Sequence, residues 1–177
     1  MKDYAYPEML VSTEWVHQHK SDSNVVLVEV DVDTASYNEG HIPGAAGWNW
    51  QTQLCDTKQR DVISKQDVER LLGETGISNN TTIILYGDNN NWFAAWALWQ
   101  LKMYGHKDVR IMNGGRKKWL AEGRELTKDL PAIKRESYNA TDRDDSLRTY
   151  LYQAMKEMNA SDTVMVDVRS PDEYTGK

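Results

Sequence analysis

Apolar residues gather in four short unbroken runs along the chain: Val25–Val30, Thr81–Tyr86, Val109–Met112 and Thr163–Val168. Each is rich in β-branched residues and continuous rather than alternating, the pattern of strands buried on both faces of a parallel sheet. Helical patterns fall between them. Ser12 is placed to cap "TEWVHQH". In "SKQDVERLLGETG", Ser64 and Asp67 make a capping-box-like start, and Val68, Leu71 and Leu72 form an apolar face that stops near Gly73 or Gly76. Asn89–Asn91 can cap a helix from Trp92 to Tyr104, with Gly105 just past its end, and "RKKWLAE" follows "NGG" and stops at Gly123. Strands alternating with helices predict an α/β architecture, a parallel sheet flanked by helices on both faces, joined by right-handed crossovers.

The pattern breaks between Arg124 and Asp145. "RELTKDLPAIKRESYNATDRDD" is polar, contains Pro131 and has no sustained period, so it is expected to be an interdomain linker. Leu147, Tyr150, Leu151, Ala154 and Met158 then recur at helical spacing before "TVMVDV". One helix and one strand cannot bury a core, so residues 146–177 are expected to be the beginning of a second domain, after a first spanning 1–123. That second start resembles the first. "VLVEVDVDTASYNEG" (26–40) and "VMVDVRSPDEYTG" (164–176) share the order apolar strand, acidic residue, polar loop, Tyr, Gly, one residue out of register.

Composition narrows the function classes. Apolar residues make up 40% of 177, with seven tryptophans, which marks a folded chain rather than a disordered one. The mean hydropathy of −0.72 is low, and no apolar stretch approaches the ~20 residues of a membrane span. "MKDYAYPEML" lacks the apolar stretch of a secretory signal. A net charge of −6 argues against a nucleic-acid partner. Cys55 is the single cysteine, so no intrachain disulfide can form, which fits a cytoplasmic location. Four glycosylation-type triplets, starting at Asn79, Asn80, Asn139 and Asn159, are read as chance matches.

Few residues carry obvious chemistry. His17 and His19 are two apart on a helix and cannot share a metal, while His41 and His106 are isolated; no metal site is expected. In "EGHIPGA" the glycines and Pro43 enforce a turn, and His41 is read as a structural histidine tying it to the sheet. Trp92, Trp96, Trp99 and Met103 recur at helical spacing and are expected to face the core, with Trp92 reaching toward a domain interface. Cys55 has Lys58 and Arg60 nearby, which favours a thiolate modestly, but it does not stand between a strand and a helix N-terminus and is not expected to be catalytic. "LYGDNNNWF" does have that placement. Its loop, however, holds Asp88 and three asparagines where a nucleophile would stand, and asparagine suits a purely structural left-handed turn.

Together, "HIPGA", "LYGDNNNWFAAWALWQLKMYGH" with "DVRIMNGGRKKWLAEGRELT", and "VMVDVRSPDEYTGK" resemble the two-domain rhodaneses, the thiosulfate and 3-mercaptopyruvate sulfurtransferases. The resemblance implies two similar α/β domains, the first catalytically silent. The second would carry a cysteine that becomes a persulfide and passes sulfur from a small anionic donor (thiosulfate or 3-mercaptopyruvate) to a thiophilic acceptor, without cofactor or metal. The chain matches the silent domain and the opening of the second. The loop bearing the nucleophile is thus expected beyond Lys177, in the remainder of the C-terminal domain, and the chain alone is expected to be inactive. No catalytic residue is expected within it. The resemblance places Arg169 near the substrate entrance, with Asp33, Asp88, Asn89, Asn90 and Trp92 as further entrance or domain-interface candidates. Some relatives have an arginine where Glu173 stands. His41, Gly44, Gly114 and Gly115 carry over as structural. The alternative reading is a non-catalytic rhodanese-like module that binds or scaffolds a partner.

Overall fold

Three of the four apolar runs become the centre of one parallel sheet. The computed structural model describes residues 4–59 and 61–177. Among these, the strands are β1 (Leu10–Val11), β2 (Val25–Asp31), β3 (Ala46–Asn49), β4 (Thr82–Tyr86) and β5 (Val109–Met112), in the order β1-β5-β4-β2-β3 with every neighbouring pair parallel. All five residues of β4, which lies at the centre of the sheet, are buried. The edge strands β1 and β3 escape the sequence reading because they are two and four residues long and contain no β-branched run.

The helices are α1 (Thr13–His19), α2 (Ala35–Glu39), α3 (Trp50–Gln53), α4 (Lys65–Glu74), α5 (Trp92–Met103), α6 (Gly115–Ala121), α7 (Leu151–Glu157) and α8 (Pro171–Thr175). Two starts form as their sequences suggest: Ser12 accepts the Trp15 N–H at 3.0 Å, and Ser64 accepts the Asp67 N–H at 3.2 Å. α5 differs. Its asparagines supply no side-chain cap, and its buried face is Ala94, Ala97, Gln100, Leu101 and Met103. The small alanines let this helix approach the sheet, which displaces Trp96 and Trp99 to half-buried flanks and leaves Trp92 68% exposed. Of the expected tryptophan stripe, Met103 alone is fully buried.

Alternate side chains of each strand feed opposite layers. Val28, Val30, Ile83 and Leu85 pack with Leu71 and Leu72 of α4 and Ala94, Ala97 and Leu101 of α5. Leu27, Ile84 and Tyr86 pack on the other side with Val16 of α1 and Trp119 of α6. The connection from β2 leads one way to β3, and that from β4 leads the other way to β5. The carboxyl ends of β2 and β4 therefore flank a topological switch point, where open α/β sheets present their sites.

The chain divides into two compact units at Asp144–Asp145. Of the expected linker, 124–145, residues 124–144 belong to the first unit instead of standing free of it. Thr127 pairs with His41 by reciprocal backbone hydrogen bonds, Glu136 N–H donates to the Gly73 carbonyl, and Tyr138 and Ala140 are buried. Asn79 and Asn139, both starts of glycosylation-type triplets, bond to each other through side chain and backbone.

In the second unit, Asp145–Lys177, α7 and α8 form, and Ser170 and Glu173 make a full capping box ahead of Gly176. The expected strand at 163–168 does not. A strand exists only against a neighbour, and this unit offers none: Val164, Val166 and Val168 are between 76% and 89% exposed. The two helices within the repeated motif, α2 and α8, are both five residues long, contain the tyrosine and end at glycine. Tyr37 is buried and Tyr174 is exposed.

Candidate functional site

At the switch point, β4 runs out through Gly87 and the chain turns through Asp88–Asn91 into α5. Asn89, Asn90 and Asn91 have φ of 48°, 55° and 65°, three consecutive left-handed residues. Asparagine tolerates this conformation better than other residues with a Cβ. Asn91 holds the turn from inside. Its Oδ1 accepts the Gly87 N–H at 3.1 Å, and its Nδ2 donates to the Met112 carbonyl at 2.8 Å, joining the ends of β4 and β5. Gly115, at φ 55°, lies so close to Asn91 Oδ1 and the Gly87 carbonyl that a Cβ there would clash with both. A cavity of about 470 Å³ opens beside the turn, lined by Asp88, Asn89, Asn90, Gly114, Lys117 and Leu120.

Below this loop lies a group of charged residues that the sequence reading missed. Glu29 and Asp31 are two apart on β2 and share the sheet face of Leu27, with Glu29 in register with Tyr86. Glu29 Oε1 accepts from Arg116 of α6 at 2.6 Å, and the side chains of both are nine-tenths or more buried. Asp31 Oδ1 accepts the Asp88 N–H at 2.6 Å, the Ser36 hydroxyl donates to Asp88 Oδ2 at 2.6 Å, and Arg116 Nε stands 3.7 Å from Asp88 Oδ1. Burial pushes the Glu29 carboxyl up to about 8, against the pull of Tyr86 and Arg116, and raises Asp31 as well. The signal available in the sequence was "VEVD" inside an otherwise apolar run: two acids in a strand covered on both faces must find partners.

The loop thus has the position of an active site but no nucleophile. Asp88 is engaged by Ser36 and Arg116, and the asparagines are neutral. Cys55 lies elsewhere, between α3 and α4, lining a separate cavity of about 460 Å³ with Lys58 and Arg70; Arg60 falls outside the described residues. Burial pushes the Cys55 thiol up, away from the thiolate form. Among the described residues, no three His, Cys, Asp or Glu gather as metal ligands.

The other candidates separate. Asp33 is exposed, where its Oδ1 accepts the Ala35 N–H at 2.8 Å ahead of α2. Trp92 stacks on Phe93 at 6.0 Å between ring centroids. Arg169 belongs to the second unit, where it pairs with Asp167 at 2.7 Å, holds that carboxyl down to about 2, and lies over Tyr174. His41 is fully enclosed, stacked on Tyr37 at 3.8 Å, with its ring nitrogens facing the carbonyls of Tyr37 (2.9 Å) and Asp129 (3.1 Å). Gly44 turns the chain after it with φ 86°.

The sequence profile of the Rhodanese-like domain matches residues 12–122, which is most of the first unit. The chain belongs to the rhodanese-like family. It is 48% identical over 98% of its length to a sulfur carrier protein, TtuD, of Thermus thermophilus, and covers 62% of that protein. It is 47% identical over 96% of its length to a putative thiosulfate sulfurtransferase of Saccharopolyspora erythraea, covering 60%. The rhodanese-like chain thus spans about 60% of the length of these relatives. Its fold matches the 3-mercaptopyruvate sulfurtransferase SseA of Escherichia coli with a TM-score of 0.81 at 18% identity, over 94% of this chain and 67% of that one. No described helix of this rhodanese-like protein is long and apolar enough to cross a membrane.

Proposed function

We propose that this chain supplies the non-catalytic first domain, and the opening of a second, in a sulfurtransferase that moves sulfane sulfur through a cysteine persulfide. The observation that carries the reading is the loop Asp88–Asn91. It occupies the switch point of a rhodanese-like sheet and contains no thiol, while Cys55 follows the C-terminal end of α3 with its thiol pushed up by burial. Persulfide chemistry needs a thiolate that attacks the outer sulfur of the donor, releases sulfite when that donor is thiosulfate, and yields sulfur to a thiophile. The cysteine that does so belongs to the corresponding loop of the second domain, whose opening motif, the apolar run and α8, is residues 163–175.

In this reading the donor is a small anion, thiosulfate or 3-mercaptopyruvate, the acceptor is a thiophile, and no cofactor takes part. Arg169, Asp33, Asp88, Asn89, Asn90 and Trp92 are the substrate-entrance or domain-interface residues in this reading. Residues 124–145 lead from the first domain into the second while packing largely on the first, and the protein works in the cytoplasm, consistent with a single cysteine. Relatives named for sulfur transfer and sulfur carriage support this class of chemistry.

The test is thiocyanate formation from thiosulfate and cyanide. The 177-residue chain should show no turnover above a Cys55→Ser control, and turnover should appear when a polypeptide carrying the rest of the second domain is added. Robust turnover by the chain alone, lost in Cys55→Ser, would transfer the chemistry to Cys55 and overturn the reading. A second reading, a scaffold that presents a docking face, draws on Trp92, whose side chain stands out at 68% exposure. It requires that Trp92→Ala abolish partner binding while sulfur transfer in the completed protein is untouched.

A further inference from the structure

The carboxyl pair below the loop has an unfilled requirement. Glu29 Oε2 and Asp31 Oδ2 are both buried and neither receives a hydrogen bond from an N–H or from a hydroxyl group. Their other oxygens are taken, by Arg116 and by the Asp88 N–H respectively. Two bare carboxylate oxygens side by side in a region closed to water repel each other and lack hydration. A single proton between them removes both defects at once, because the protonated acid then donates to the ionised one.

The charge balance agrees. Facing the pair are Arg116 from α6, Tyr86 from β4, Asp88 from the loop and Tyr37 from α2. Both tyrosines are held neutral, and Asp88 is partly exposed. Glu29, Asp31 and Arg116 are then electrically neutral together if one proton is kept, and carry a net buried negative charge if it is not.

We propose that Glu29 and Asp31 share one proton, carried by Glu29, and that this proton is a switch for the loop Asp88–Asn91. While it is bound, Asp31 is anchored by Glu29 and holds the Asp88 N–H. When it leaves, the two carboxylates separate and the attachment of Asp88 to β2 is lost, which loosens the loop at the mouth of the 470 Å³ cavity and leaves Asp88 to Ser36 and Arg116. The clamp acts on this loop whichever reaction the larger protein performs.

Burial lifts Glu29 to about 8, above its ordinary 4.5. The folded chain therefore holds a proton that the unfolded chain has released. Stability from this pair is complete below pH 4.5 and is lost as pH rises toward about 8, the folding constant falling up to tenfold per pH unit within that window.

The test is 13C NMR of carboxyl-labelled Glu and Asp in the 177-residue chain from pH 4 to 10, together with the Asp88 amide resonance. Expected is a joint transition of Glu29 and Asp31 on the alkaline side of neutrality, mirrored by Asp88. Glu29→Gln substitutes a permanent amide donor for the shared proton and should abolish the transition while keeping the Asp88 resonance at its neutral-pH position. Asp31→Asn, which donates from the other side, should do the same and serves if the first variant does not fold. Titration of Glu29 in the ordinary carboxylate range, no transition up to pH 10, or persistence of the Asp88 transition in both variants would overturn the proposal.

Discussion

Asn91 joins the ends of two strands with one side chain, its carbonyl oxygen on the Gly87 N–H and its amide on the Met112 carbonyl. Both partners are backbone groups that cannot find solvent. Asn91→Ala is expected to lower unfolding stability by about 2–3 kcal/mol, because each group left bare loses its protein bond without regaining water. Asn91→Asp should cost at least as much, since a carboxylate oxygen would then face the Met112 carbonyl. Urea unfolding of both variants measures this; a loss under about 0.5 kcal/mol would show that the turn holds itself without the asparagine. The composition of the loop was legible in the sequence, and so was the suitability of asparagine for left-handed backbone. The part played by Asn91 was not, because its second partner lies 21 residues away on another strand. The pairing of Glu29 with Arg116, separated by 87 residues, was hidden for the same reason.

Elements with strong local periodicity could be read directly, and those defined by distant partners could not. The central strands and the starts of α1 and α4 follow from apolar runs and serine caps. Residues 124–144 have no period of their own and gain their place from side chains elsewhere, above all His106. Its Nε2 faces the Thr81 carbonyl at 2.9 Å, which makes it the donor there and leaves Nδ1 to accept from the Tyr138 hydroxyl at 3.0 Å. Burial holds His106 below its ordinary 6.5, so the folded chain takes up a proton less readily than the unfolded one. Stability from this contact is therefore complete above about pH 6.5 and falls as pH drops toward the folded-state value. Protection of the Glu136 and Thr141 amides, which bond to the Gly73 and Tyr104 carbonyls, should fall below that pH relative to the intrinsic exchange rate. In Tyr138→Phe the same amides should exchange faster at neutral pH too, with a stability loss of about 1–2 kcal/mol. Equal protection at pH 5 and pH 7.5 would show that His106 does not govern the segment.

At the scale of the whole molecule, the two units differ in what they bury. The first has an apolar layer on each face of its sheet, whereas no residue of 145–177 is buried. The apolar run of the second unit is that of a strand, yet without a neighbour it gains neither hydrogen bonds nor burial, and full burial of each valine would contribute about 1.5–2 kcal/mol. The sequence therefore reports what the segment is suited to become, and its present state depends on what is beside it. Removing residues 145–177 should leave the thermal midpoint of the first unit within about 2 °C of that of the 177-residue chain, since no buried apolar surface goes with them. Differential scanning calorimetry of the two lengths decides this; a drop of more than about 5 °C would mean that the second unit contributes to the stability of the first. On the proposed function, adding a polypeptide that carries the rest of a second domain should act in the opposite sense, protecting the amides of Val164, Val166 and Val168 from exchange and raising the midpoint with its concentration, because a partner that binds only the folded form stabilises by mass action. Protection confined to α7, with the three valines still exchanging freely, would show that the run is not used as a strand.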